Sequence, residues 1–164
     1  MTLREKFEYI REHWFLKDGI VCSLLTGEPI AYFINETGHL FVSLALKGRR
    51  HSTIKLHQAA FMLYHDRPIG EGMVIHHIDG NPLNNDPSNL VELTYSQHRR
   101  IHVFQCDDPV VGISLAGNVW RYQWRDDNGR PHTRHFHGIN EAMKFRAEIE
   151  EPFRAELRDL GLDC

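Results

Sequence analysis

Apolar and polar positions change period several times along the chain, and those changes mark its elements. Over residues 3–16 apolar and charged residues mix in the manner of a short amphipathic helix. Residues 20–54 switch to strand-like runs at 19–24, 30–34 and 39–46. Turn sequences separate them at Thr26-Gly27, Asn35-Glu36-Thr37-Gly38 and Lys47-Gly48. From 54 to 65 the period becomes helical, with Leu56, Ala59, Ala60, Leu63 and Tyr64 in register, and Pro68 and Gly70 end that segment. A short strand at 73–78 runs into Asp79-Gly80-Asn81-Pro82, a turn, and a polar loop at 83–87. A second strand follows at 90–94, and Ser96 is the expected N-cap of a helix over 97–104. Asp107-Asp108-Pro109 reads as a linker. Beyond it lie strands near 110–115, 119–125 and 131–136, then a helix over 140–160 that Pro152 is placed to kink or divide.

Composition narrows the setting. A chain of 164 residues holds one average domain or two small modules, and 41% hydrophobic with 25% charged residues is an ordinary globular balance. No apolar run approaches the roughly 18 residues that cross a bilayer, and the first residues lack a signal-peptide core. Cys22, Cys106 and Cys164 form no Cys-x-x-Cys pair. A disulfide scaffold and a thiolate zinc site are therefore not expected, and the reading is cytoplasmic, with no membrane partner. The formal charge of −3 is local: residues 141–164 hold 7 acids and 4 bases, leaving 15 of each sign before them. An acidic last helix thus coexists with cationic patches elsewhere.

Histidine changes the picture most. Of 12 in the chain, 7 fall between His51 and His102. His98 and His102 stand at i and i+4 on the expected helix, the spacing that places two imidazoles on one metal. His76 and His77 alternate on a strand, so one can face that helix as a third ligand while the other serves proton chemistry near neutral pH. Taken singly each pair suits an ordinary solvated surface. Together, across an Asn-rich loop, they point to a site.

Residues 73–103, with His76-His77-Ile78-Asp79-Gly80-Asn81, Leu83-Asn84-Asn85 and Asn89-Leu90, closely resemble the HNH, or ββα-metal, nucleases of phages and mobile introns. The likeness extends back to about residue 38 through the strands, the sequence Leu46-Lys47-Gly48-Arg49-Arg50, and the following helix. It implies that His77 is the general base, His76 a metal ligand and Asn89 the residue that holds loop and base in place. His98 and His102 fill further ligand positions. Homing-type members often use Asp and Asn as ligands; the three imidazoles here are similar instead to the colicin nuclease domains. That donor set favours zinc or nickel on affinity, with magnesium or manganese still open as the working ion. The resemblance implies one divalent metal ion, and His77 in place of a second metal as activator of the attacking water. Arg99 and Arg100, on the same helix, suit either a phosphate contact or a solvated basic face. Asp79 is expected to fix backbone, and His57 to pack or support.

After the linker, Val119 to Arg125 alternates: Trp120, Tyr122 and Trp124 take one face, Arg121, Gln123 and Arg125 the other. Arg and Gln can make bidentate contacts to base edges in a major groove. Asp126-Asp127-Asn128-Gly129 signals a hairpin, and the next strand adds Arg130, His132 and Arg134 to the DNA-facing set. Phe136 shares their parity, which sets a bend against a shifted register. Ala142, Phe145, Ile149 and Phe153 recur at helical spacing and can cover the aromatic face, with the acidic residues turned to solvent. Gly112-Ile113-Ser114, Gly117-Asn118-Val119-Trp120, Phe136 and Asn140-Glu141-Ala142 resemble the plant ethylene-response-factor type of DNA-binding domain.

The expected fold class is α+β. A ββα-metal nuclease core preceded by a small antiparallel sheet and helix occupies residues 1–106, and a three-stranded sheet plus helix occupies 110–164. The expected function is metal-dependent hydrolysis of phosphodiester bonds in double-stranded DNA, of phage homing type. A catalytically silent, metal-stabilised DNA-binding accessory is the alternative; an RNase or killing nuclease is a third. One motif per chain cuts one strand, so monomer and homodimer both stay open.

Overall fold

The first helix is set by its own ends. Thr2 caps it by accepting from the Glu5 amide while Glu5 Oε2 accepts from the Thr2 amide, a capping box that starts α1 at Leu3–His13. The computed structural model describes residues 1–36, 38–45, 51–106 and 108–164. These fall into two compact units, Met1–Leu93 and Thr94–Cys164. The class is mixed α+β with small antiparallel sheets.

In the first unit α1 stops three residues before the expected end, because Trp14–Lys17 is a strand, β1, paired with β2, Ile20–Ser23. Asp18 and Gly19 between them both have positive φ, 50° and 77°, as a two-residue hairpin of this hand requires. Asp-Gly is the sequence signal that marks it. A second sheet joins β3 (Phe33–Ile34), β4 (Leu40–Ala45) and β5 (His51–Lys55) in that order. The polar run His51-Ser52-Thr53 hides β5 from a hydrophobic reading; backbone pairing with β4 makes it a strand. Consequently α2 begins at Leu56 rather than 54 and runs to His65, where Asp66 ends it in left-handed conformation. The turn expected at Lys47-Gly48, with neighbouring Arg49 and Arg50, lies outside the described residues, as do Thr37 and Asp107.

The core of this unit gathers Phe7 and Ile10 of α1, Trp14, Val21, Val42, Leu44, Ile54, Phe61 and Met62. Helix α2 is thereby wedged against α1 and the sheets. The last sheet of the unit pairs β6 (Met73–His77) with β7 (Leu90–Thr94), with a 3-10 turn at Pro87–Asn89 between them.

The second unit opens with α3, Tyr95–Phe104. Its N-cap is Thr94, not Ser96: the Gln97 amide donates to Thr94 Oγ1 at 3.2 Å and the Thr94 amide to Gln97 Oε1 at 2.7 Å. Thr-x-x-Gln is the local signal for that start. Strands β8 (Ile113–Ala116), β9 (Val119–Arg125) and β10 (Pro131–Phe136) form a sheet with β9 in the centre, and α4 spans Ile139–Asp159. Pro152 leaves α4 undivided.

Register settles the faces. Tyr122 pairs with Arg134, Trp124 with His132 and Trp120 with Phe136, so all six share the side that Phe145 of α4 covers. Strand β10 therefore needs no bend, and Arg134 stands on the face opposite Arg121, Gln123 and Arg125. Its guanidinium lies 4.3 Å from the Phe145 ring centroid. Glu150 departs from the expected solvent-facing acidic helix. It is 8% exposed and bridges Arg146 Nε at 2.8 Å and Arg154 Nη2 at 3.1 Å, with the Tyr122 hydroxyl donating at 3.3 Å. The same Arg146 donates to the Asp108 carbonyl at 2.6 Å. Burial, and then the Glu150 charge, push the Tyr122 phenol well above its usual range.

Candidate active site

The loop between β6 and β7 is held by one asparagine and one aspartate. Asn89 Nδ2 donates to Asp79 Oδ1 at 2.9 Å and to the Asn84 carbonyl at 3.0 Å, and its Oδ1 accepts from the Asp79 amide at 3.1 Å. Asp79 also accepts from the Asn81 amide and from Asn84 Nδ2. These hydrogen bonds, with Asn84 first, hold its carboxyl below the usual range. The Ile78 amide donates to the Asn89 carbonyl at 2.8 Å, so the loop closes where β6 ends.

His76 and His77 are neighbours on β6, and both are buried. Around His77 stand two imidazoles whose proximity sequence spacing does not disclose. The His57 ring, on the first turn of α2, meets it edge-on with centroids 4.7 Å apart, and the His39 ring lies at 6.1 Å. His77 Nε2 approaches Asn85 Oδ1 at 3.4 Å. Burial lowers the His77 pKa, with partial opposition from Asn85 and Asp79. Burial again, then repulsion from His77, holds His57 far below the ordinary imidazole range. Both rings are thus neutral at neutral pH, and a neutral imidazole can accept a proton.

In the second unit His98 and His102 converge as their spacing predicts, with Nε2 atoms 3.3 Å apart and ring planes nearly perpendicular. Arg99 is exposed. Arg100 is engaged instead: it stacks 3.6 Å from the Phe153 ring centroid and pairs with Asp127 at 2.9 Å. Both arginines line a cleft of about 460 Å³ together with Trp124, Arg125 and Phe153. On the open face of the sheet Gln123 is exposed. Arg121 reaches Ser114 Oγ at 3.3 Å, and Arg125 donates to the Gly129 carbonyl. Thr133 and His135 pair opposite Gln123 and Arg121, and so take the places on this face expected of His132 and Arg134. The parity of Phe136 was the signal for that register. Arg130 is exposed in the hairpin, its amide tied to Asp126 Oδ1.

Residues 55–100 match the family model of the HNH endonucleases. Over that stretch the chain is similar to the HNH endonucleases. Within it lie His57, His76, His77, Asn89, His98, Arg99 and Arg100, and His102 stands just beyond it. The chain is also similar to a solved structure described as "DNA binding and cleavage by the HNH homing endonuclease I-HmuI". There the identity is 21%, the TM-score is 0.48, and 74% of this chain and 71% of that one are covered. Comparison with curated proteins gives no match.

HNH nucleases are in general dependent on a divalent metal, and the helical histidines of this chain fit such an ion. With Zn–N bonds of about 2.0–2.1 Å, two nitrogens on a tetrahedral ion lie roughly 3.3–3.4 Å apart. That is the separation of the His98 and His102 Nε2 atoms. No described helix is long and apolar enough to cross a membrane.

Proposed function

We propose that this protein is a metal-dependent DNA endonuclease of homing type, with His77 as general base and a single divalent ion held by His76, His98 and His102. The observation that carries the reading is the match of residues 55–100 to the HNH endonuclease model, a stretch that contains the His76-His77 pair and Asn89. When bound, the ion supplies Lewis-acid stabilisation to the charge that develops on the phosphate and on the leaving 3′-oxygen. His77 takes a proton from the water that attacks phosphorus as the bond to that oxygen breaks. Asn85 at the edge of the ring orients it, and Asn89 keeps the loop closed on the strand that carries it. Arg99 is available to a phosphate. The open sheet face of Arg121, Gln123 and Arg125 reads duplex DNA, Arg130 adds charge at its end, and Arg134 stands on the other face against Phe145.

Cleavage of supercoiled plasmid, with and without divalent metal, tests this beside His77→Ala. The variant is expected to lose activity by about 10²–10⁴-fold while retaining DNA and metal binding. If the wild type binds plasmid but leaves it supercoiled with magnesium, manganese, zinc and nickel alike, the protein is a silent DNA-binding accessory and the nuclease reading falls.

A further inference from the structure

A second group of imidazoles surrounds His77, outside the ligand set assigned above. His39, His57 and His77 each offer a ring nitrogen, and these atoms all lie within 4.8 Å of one another. The centroids of His39 and His57 are 5.4 Å apart. We propose that His39, His57 and His77 form a separate site for a borderline transition-metal ion of the zinc type, and that filling it withdraws the general base. The inhibitory half of this proposal rests on the role given to His77; the metal site does not.

The three ligands come from three elements of the first unit. His77 ends β6, His57 lies in the first turn of α2, and His39 immediately precedes β4. Their backbones are fixed independently. At the β3–β4 turn the His39 amide donates to Asn35 Oδ1 at 3.0 Å, and its carbonyl accepts from the Asn35 amide at 3.1 Å. His57 is 2% exposed, and its Nδ1 is buried with no hydrogen-bond partner among the described residues. A buried polar nitrogen left in that condition is costly, and a metal–nitrogen bond relieves the cost. His39 is half-buried, which gives an ion a way in from solvent.

The donor set selects the ion. Three neutral nitrogens favour zinc, nickel or copper on affinity over magnesium, which prefers oxygen ligands, so zinc outcompetes magnesium here even where magnesium supports cleavage. Three histidines and one water complete a tetrahedral zinc site. Nitrogens on such an ion stand roughly 3.3 Å apart, so ring nitrogens that already lie within 4.8 Å of one another draw together as the ion binds. A lone pair of His77 given to the ion no longer accepts a proton from water. Magnesium-supported cleavage should therefore fall as zinc rises.

The test uses the full chain. Zinc bound per protein after equilibrium dialysis is measured for wild type, His39→Gln and His102→Gln, alongside zinc inhibition of magnesium-supported plasmid cleavage scaled to each protein's own uninhibited rate. His39→Gln is expected to lose a zinc equivalent and to raise the half-inhibiting zinc concentration at least about tenfold. Equal zinc content and equal inhibition in wild type and His39→Gln overturn the proposal. In wild type, zinc should also shift the imidazole NMR signals of His39, His57 and His77 together, a readout independent of how the variant folds; unmoved His39 and His57 signals count against it. Loss of an equivalent in His39→Gln, in a protein that cuts no plasmid, would uphold the site and remove the nuclease reading.

Discussion

Two residues acquire their meaning from what they touch. Asn89 joins Asp79 and Asn84 through three hydrogen bonds, so one amide closes the loop beside His77. Replacing it with alanine is expected to lower stability by about 1–2 kcal/mol, measured by urea unfolding, and to slow cleavage without abolishing metal binding. Cleavage at the wild-type rate would separate the loop from the reaction. Glu150 looks like one more acid on an acidic helix. In the structure it is buried between Arg146 and Arg154 and accepts from Tyr122. Glu150→Ala leaves the buried Arg146 guanidinium without its carboxylate and should cost about 3–5 kcal/mol. Glu150→Gln should cost less, because the amide oxygen still accepts.

The sheet β8–β9–β10 presents two different faces by the alternation of a strand, and one residue of register assigns each side chain to a face; under the proposed function one face reads DNA and the other packs on α4. Gln123 stands on the open face, and Arg134 stacks on the helix side over Phe145. Gln123→Ala is expected to reduce discrimination between DNA sequences by about 1–3 kcal/mol with the melting temperature unchanged. Arg134→Ala should leave discrimination intact and lower stability by about 0.5–1 kcal/mol through the lost stacking. Competitive DNA-binding and thermal-unfolding measurements distinguish the two, and the reverse pattern would show the faces to be exchanged.

At the scale of the whole chain, acid sensitivity traces to carboxylates that the fold holds ionised. Burial alone would raise the Glu92 pKa. The Arg67 hydrogen bond, the Gly70 amide and the Arg67 charge outweigh it, and the net shift is downward. A group lowered on folding stabilises the protein above its unfolded pKa, and the benefit is lost as pH falls through the folded value. Glu92→Gln should therefore destabilise the protein by about 1–2 kcal/mol at neutral pH, with the gap to wild type closing below roughly pH 4. A gap that persists in acid would assign the effect to packing. The β6–loop–β7 order, the helical histidine pair, the aromatic alternation of β9 and the last helix were all legible in the sequence. Each rests on short-range information: a period, a turn residue, an i to i+4 spacing. Strand β5, the side taken by Arg134, the burial of Glu150 and the approach of His39 and His57 to His77 were not. In each of these the deciding partner lies on another element, so backbone pairing, strand register and side-chain contact had to form before the residue's surroundings existed. The sequence by itself determined the kinds of chemical group this protein carries and their local spacing, because those are properties of neighbours in the chain. Only the tertiary structure decided which of those groups are buried and which imidazoles meet, because both depend on contacts between segments distant in sequence.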